Sequence, residues 1–187
     1  MIVLKNKNIQ KFIIYGNNIK QKAVTCDIYL LEQNCYKQQL NLSMVNRYKD
    51  RFEINAIFNK KGKYRVQIYG KDDKEEKFFG ILKYAINVEN DAKEQFKFPI
   101  TYDGKENINV IEPLYDNIKS GEIVKFKMTS NFDDIIIIDN QWHYLKKNDE
   151  GYFELETKIK SQKGKNVIIG YKKSSGSCSY LVVFKVI

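Results

Sequence analysis

His143 is the single histidine of the chain, and Cys26, Cys35 and Cys178 are its three thiols. Cysteine catalysis needs a thiol beside an imidazole that a third group orients. The one pairing on offer is Cys178 with His143, and no motif joins them. A zinc site needs several Cys or His ligands at short spacing, which the sequence lacks. Calcium needs clustered carboxylates, and the candidates are Asp72-Asp73 with Glu75-Glu76, and Asp133-Asp134. Each is interleaved with lysine or sits at a strand end, so solvated loops are expected. A carboxylate pair for glycoside hydrolysis is drawn from these residues only by arbitrary choice. Lys163-Gly164 and Ser174-Ser-Gly-Ser177 lack the spacing of a phosphate-binding loop. The expectation is a chain with no catalytic residues, no metal site and no cofactor. An odd cysteine count also argues against a disulfide framework.

Aromatic side chains remain as chemistry of another kind. Thirteen tyrosines exceed what a core of this size buries, and tyrosine is a good amphipathic contact residue. Tyr102, Tyr115, Tyr152 and Tyr171 are the expected partner-binding residues. Trp142, the single tryptophan, is expected in the core.

The elements that must hold these residues are strands. Ile135-Ile-Ile-Ile138 is a run of β-branched residues that favours a pleated strand over a helix. Asp139-Asn140 suits a two-residue hairpin turn, which sets Ile138 opposite Gln141 and Ile137 opposite Trp142. That register places Trp142 and Tyr144 on a core face with Ile135 and Ile137, and His143 on the other face. Upstream, a first strand covers 11–15. Val24, Cys26, Ile28 and Leu30 then alternate, as do Leu40, Leu42 and Met44; Phe52, Ile54, Ala56 and Phe58; Tyr64, Val66 and Ile68; and Leu82, Tyr84, Ile86 and Val88. Downstream, strands are expected at 109–111, 122–128, 135–138, 141–145, 153–159, 167–171 and 180–186. No segment sustains a 3.6-residue apolar period. Glu89–Gln95 is polar and without alternation, and reads as a linker.

The two halves resemble each other at an offset of about one hundred residues. Ile19-Lys20 with Val24 matches Ile118-Lys119 with Ile123. Phe52-Glu-Ile-Asn-Ala56 and Lys61-Gly-Lys63 match Phe153-Glu-Leu-Glu-Thr157 and Lys163-Gly-Lys165. Leu82–Ile86 matches Val182–Val186. The fold expected is all-β, two tandem antiparallel immunoglobulin-like β-sandwich domains at 1–91 and 92–187.

The formal charge of +9 is uneven. Residues 1–91 hold 17 Lys+Arg against 10 Asp+Glu, and residues 92–187 hold 15 against 13. Only Arg47, Arg51 and Arg65 are arginine, and base or bidentate phosphate recognition leans on arginine. Nucleic acid is therefore not the expected partner. Apolar runs are too short for a membrane span. The start, Met1-Ile-Val-Leu-Lys5, shows no signal-peptide pattern, and a cytoplasmic chain is expected.

Phe98-Pro99 with Tyr102, Glu112-Pro-Leu114, Ile118-Lys-Ser-Gly-Glu122 with Val124-Lys-Phe126, Trp142–Lys146, Gly151–Glu154 and Ser179–Val186 together resemble the β-sandwich region of kyphoscoliosis-peptidase-like proteins. The first half is similar only around Phe52–Val88. In that family such sandwiches follow a transglutaminase-like core with a Cys-His-Asp triad, and this sequence shows no such core. The resemblance implies the non-catalytic part: a tandem module for protein–protein interaction, or one that positions a transglutaminase-like partner domain. A carbohydrate- or surface-binding module is the alternative, and it requires a flat row of exposed tyrosines. An enzyme built on Cys178 and His143 is the third.

Overall fold

A computed structural model describes residues 2–4, 9–15, 23–72, 74–102, 108–173 and 176–187. Those residues contain strands and no helix, so none is long and apolar enough to cross a membrane. They form two compact units, Met1–Phe96 and Lys97–Ile187.

The first unit contains β1 (Ile2–Leu4), β2 (Ile9–Tyr15), β3 (Ala23–Glu32), β4 (Cys35–Gln39), β5 (Ser43–Arg47), β6 (Arg51–Ile57), β7 (Gly62–Lys71) and β8 (Phe79–Val88). One sheet has the order β1-β8-β7-β3-β4 and the other β2-β6-β5. Alternation explains the packing: Val24, Cys26, Ile28 and Leu30 from β3 meet Tyr64, Val66 and Ile68 from β7 on the buried side. Strand β6 is central in its sheet and almost wholly buried, including Glu53 and Asn55. Glu53 keeps its charge there by pairing with Lys11 (2.9 Å) and Arg51 (2.9 Å). Two residues expected inside are exposed. Leu40 lies in the turn between β4 and β5, and Leu82 sits next to a bulge in β7–β8.

The second unit contains β9 (Ile100–Thr101), β10 (Ile108–Glu112), β11 (Asn117–Ile118), β12 (Ile123–Ser130), β13 (Asp134–Ile138), β14 (Trp142–Lys146), β15 (Phe153–Lys158), β16 (Asn166–Lys172) and β17 (Cys178–Val186). Its sheets are β10-β12-β15 and β11-β17-β16-β13-β14, with β9 also on β17. Phe126 from one sheet meets Phe184 from the other edge-on, ring centroids 5.7 Å apart, at the centre of this core.

Each larger sheet follows one plan. An early strand runs parallel to the last, which pairs antiparallel with the penultimate and so on outward, so β1-β8-β7-β3-β4 corresponds to β11-β17-β16-β13-β14. The fold is thus an all-β, immunoglobulin-like sandwich arrangement. Both sheets are antiparallel apart from those two short parallel pairs.

The central hairpin departs from the expected register. Ile138 stands opposite Trp142, Ile137 opposite His143, Ile136 opposite Tyr144 and Ile135 opposite Leu145. The connection is Asp139-Asn140-Gln141, with Asn140 at φ 55°. Asp139 explains the difference. Its side chain is fully buried, and its carboxylate accepts hydrogen bonds from the backbone N–H groups of Lys160 and Ser161, both at 2.7 Å. Asn140 Nδ2 donates to the Lys160 carbonyl (3.2 Å). A residue fixed as an internal acceptor does not stand at a turn tip, so the loop takes one more residue. A one-residue slip turns every side chain of β14 over. Leu145 therefore goes to the core and Trp142 and Tyr144 leave it.

Candidate functional site

The slip exposes an aromatic surface on the outer face of the second unit's larger sheet. Trp142 is 46% exposed, Tyr144 64% and Tyr180 47%. Ile100 and Tyr102 are exposed beside them. The register sets these residues in rows across the strands. Tyr144, Ile136, Gly170 and Tyr180 form one row; Trp142, Ile138, Ile168, Val183 and Ile100 form the next. Neighbouring strands lie about 4.8 Å apart, so the Tyr144 and Tyr180 backbones, three strands apart, are separated by about 14 Å. Between them the floor is aliphatic, with Ile136 and Val183 buried and Ile138 and Ile168 half-buried.

The aromatic rings group in two pairs. Trp142 and Tyr144 have centroids 6.1 Å apart and planes tilted by 39°. Tyr102 and Tyr180 stand edge-on, 6.5 Å apart at 78°. Gly170 makes the floor possible. A Cβ there lies 2.4 Å from the Ser179 carbonyl oxygen and 2.7 Å from Cys178 Sγ, because β17 bulges toward it. Cys178 therefore lies on this face, and burial pushes its thiol above the usual range.

The opposite outer face of the same unit is ordinary solvated sheet. On β12 and β15, Lys125 stands opposite Glu156, Lys127 opposite Glu154 and Ile123 opposite Lys158. Lys127 Nζ is 2.7 Å from Glu154 Oε1 and 4.0 Å from the Tyr152 ring centroid. Cross-strand pairs of opposite charge belong to a face that meets water. One sandwich thus has one charged outer face and one aromatic outer face, and folding alone does not require the second.

The corresponding face of the first unit is satisfied from within. The Arg65 guanidinium lies 4.5 Å from the ring centroids of both Tyr29 and Tyr36. Tyr29 O–H donates to Asp27 Oδ2 (3.1 Å), and the Tyr29 and Tyr69 hydroxyls are 3.4 Å apart. The hydrogen bond with Tyr69, then burial and the Asp27 charge, push the Tyr29 phenol well above its ordinary range and keep it protonated. The aromatics of this face already have a cation and hydroxyl partners.

The four tyrosines singled out in the sequence go to separate places. Tyr102 is on the aromatic face. Tyr115 packs beside Phe98, centroids 6.3 Å apart. Tyr152 is on the charged side under Lys127. Tyr171 shares the inner side with Ile169 and stacks on Phe132 at 4.1 Å. Trp142, Tyr144, Tyr180 and Ile100 were not among them. The signal for these lay in Ile135–Ile138, which is apolar on both sides. Such a strand needs cover on both of its faces.

Cys178 and His143 do not meet. His143 shares the inner face with Ile137 and Ile169, whereas Cys178 shares the outer face with Lys172 and Gly170. The sheet lies between them, and β13 and β16 separate their strands. Gln141 Nε2 lies 3.0 Å from His143 Nε2. Cys26 is buried, which pushes its thiol up to about 12. Among the described residues no group of three His, Cys, Asp or Glu side chains converges as metal ligands do. Of the calcium candidates, Asp73 lies outside the described residues, as do Ser174 and Ser175 of the serine-rich turn.

No curated protein matches the sequence. Among solved structures, a protein from Corynebacterium diphtheriae described as membrane-anchored aligns at 6% identity with a TM-score of 0.30, over 95% of this chain and 48% of its own. This chain thus spans about half the length of that protein. The titin domains Z1Z2 in complex with telethonin align at 9% identity and TM-score 0.25, over 100% of this chain and 90% of theirs. The Bacteroides ovatus glucan-utilization protein SGBP-B, solved with a mixed-linkage heptasaccharide, aligns at 11% identity and TM-score 0.26, over 99% and 43%. Likenesses this distant carry no argument about function. The aromatic face lies outside the one stretch that a family model matches, apart from the start of that unit. That stretch is residues 25–99, and over it the chain carries a KY-like, immunoglobulin-like domain.

Proposed function

We propose that this chain is a non-catalytic interaction module that binds a protein partner through the outer face of β9, β17, β16, β13 and β14. A transglutaminase-like catalytic domain, which the family resemblance brings with it, is one such partner. One observation carries the reading: Trp142, Tyr144 and Tyr180 are exposed together over an aliphatic floor, while the other outer face of the same unit is built from Lys–Glu pairs. Large aromatics at the edge of a buried apolar patch are the usual anchors of protein interfaces. The split between Cys178 and His143 leaves a thiol mechanism without its base. The chain's contribution is affinity and placement.

Photo-crosslinking tests this. A benzophenone amino acid replaces Tyr144 on the aromatic face or Ile123 on the charged face, both strongly exposed. In cell extract from the source organism, the probe at position 144 gives a discrete protein adduct that the triple variant W142S/Y102S/Y180S loses. Equal adducts from positions 144 and 123, or adducts unaffected by the triple variant, would refute the assignment.

A further inference from the structure

We infer that the aromatic face takes an acidic protein segment, an extended stretch whose apolar anchors are spaced by aspartate or glutamate. This rests on the reading of that face as a protein-docking surface. Two observations select the partner's chemistry.

The first is charge. Lys146, Lys172 and Lys185 share the face with the aromatics and are all exposed, and Asp134 is the acidic residue that register places among them. Asp116 stands near Lys185 and feels its charge, so Lys146 and Lys172 carry the bias. A second copy of this chain docking by the same face sets lysine against lysine, which opposes self-association. An acidic segment meets those lysines with favourable charge and reaches the apolar floor between them.

The second observation is ring geometry. Sugar rings stack on aromatic planes that lie side by side. Here the two pairs are tilted by 39° and 78°, and the floor between them is Ile136, Ile138, Ile168 and Val183. Aliphatic floors accept apolar side chains. The geometry therefore favours a protein segment over a glycan.

Trp142 is the single tryptophan, so its emission reports on this face directly. The full chain is titrated with three probes. They are a synthetic peptide with phenylalanine and leucine anchors spaced by glutamates, the same peptide with lysine for every glutamate, and a mixed-linkage glucan oligosaccharide. The acidic peptide is expected to shift Trp142 emission to the blue. Its affinity should fall about tenfold between low salt and about 0.5 M salt, as screening removes the lysine attraction. It should also fall about tenfold in the K146E/K172E variant, with the urea midpoint of that variant unchanged. The lysine peptide should bind at least about tenfold more weakly than the acidic one. If the lysine peptide binds as tightly, the charge assignment is overturned while the docking surface stands. If neither peptide shifts Trp142 although position 144 still crosslinks a partner, the acidic-segment inference alone is overturned. If the oligosaccharide shifts Trp142 and neither peptide does, both readings are overturned.

Discussion

Replacing Asp139 by alanine tests the contact that decides where the aromatic residues point. The carboxylate is fully buried and accepts two backbone hydrogen bonds, from Lys160 and Ser161, each at 2.7 Å. Hydrogen bonds to a charged acceptor contribute about 1.5–3 kcal/mol each, and their loss leaves two N–H groups without a partner. The alanine variant should therefore lose about 3–5 kcal/mol. A unit of this size holds about 5–10 kcal/mol in total, so most of its margin disappears. With a urea slope of about 1–1.5 kcal/mol per molar, the midpoint falls by about 2–4 M. Asparagine keeps one acceptor oxygen but turns an NH₂ toward the second donor, so D139N should lose at least half as much. Trp142 is the single tryptophan and lies in β14, so urea unfolding followed by its fluorescence reads the affected unit. A D139A variant within about 1 kcal/mol of the parent sinks the account, because the side chain would then not be holding the hairpin to the segment after β15.

Two further outcomes follow from the buried ionisable groups. Burial pushes the Glu53 carboxyl up, but hydrogen bonds from Lys11 and Arg51 outweigh that and hold it below its usual range. A depressed carboxyl stabilises the fold above its unfolded value of about 4.3, and that contribution is lost as pH falls through the lower folded value. The urea midpoint of the parent, read by circular dichroism, should thus exceed that of E53Q at neutral pH, and the gap should close below about pH 4; a gap that persists or widens in acid contradicts the pairing. For the thiols, a value of about 12 at Cys26 leaves roughly one part in ten thousand as thiolate at about pH 8. Iodoacetamide on the folded chain should label exposed Cys35 first, Cys178 more slowly and Cys26 only in denaturant, as counted by intact mass. Labelling of Cys26 at the rate of Cys35 would show that β3 is not packed as described.

The repeat pattern shows how local information carries the architecture. Phe52–Ala56 lies in β6 and Phe153–Thr157 in β15, and in each unit that strand belongs to the smaller sheet. The two Lys-Gly-Lys turns then lead into β7 and β16, which hold equivalent places in the larger sheets. Leu82–Ile86 and Val182–Val186 fall in β8 and β17, the last strand of each unit. The match of Val24 with Ile123 fails, because β3 corresponds to β13 in sheet order while Ile123 opens β12. Its other half, Ile19-Lys20, lies outside the described residues. Strand β4, Cys-Tyr-Lys-Gln-Gln, left no trace in the pattern, since an exposed edge strand has no buried side to impose alternation.

Strand identity is a local property. Alternating side chains and turn residues fix it within a few positions, and so the sequence by itself determined that this is an all-β chain of short strands. Which side of β14 meets solvent is a matter of odd or even, and nothing within Trp142–Lys146 distinguishes the two. That parity is decided by Asp139 reaching the backbone of Lys160 and Ser161, residues far along the chain that only the folded unit brings beside it. The aromatic face exists because a buried carboxylate needed two donors, and the hairpin took one more residue to supply them.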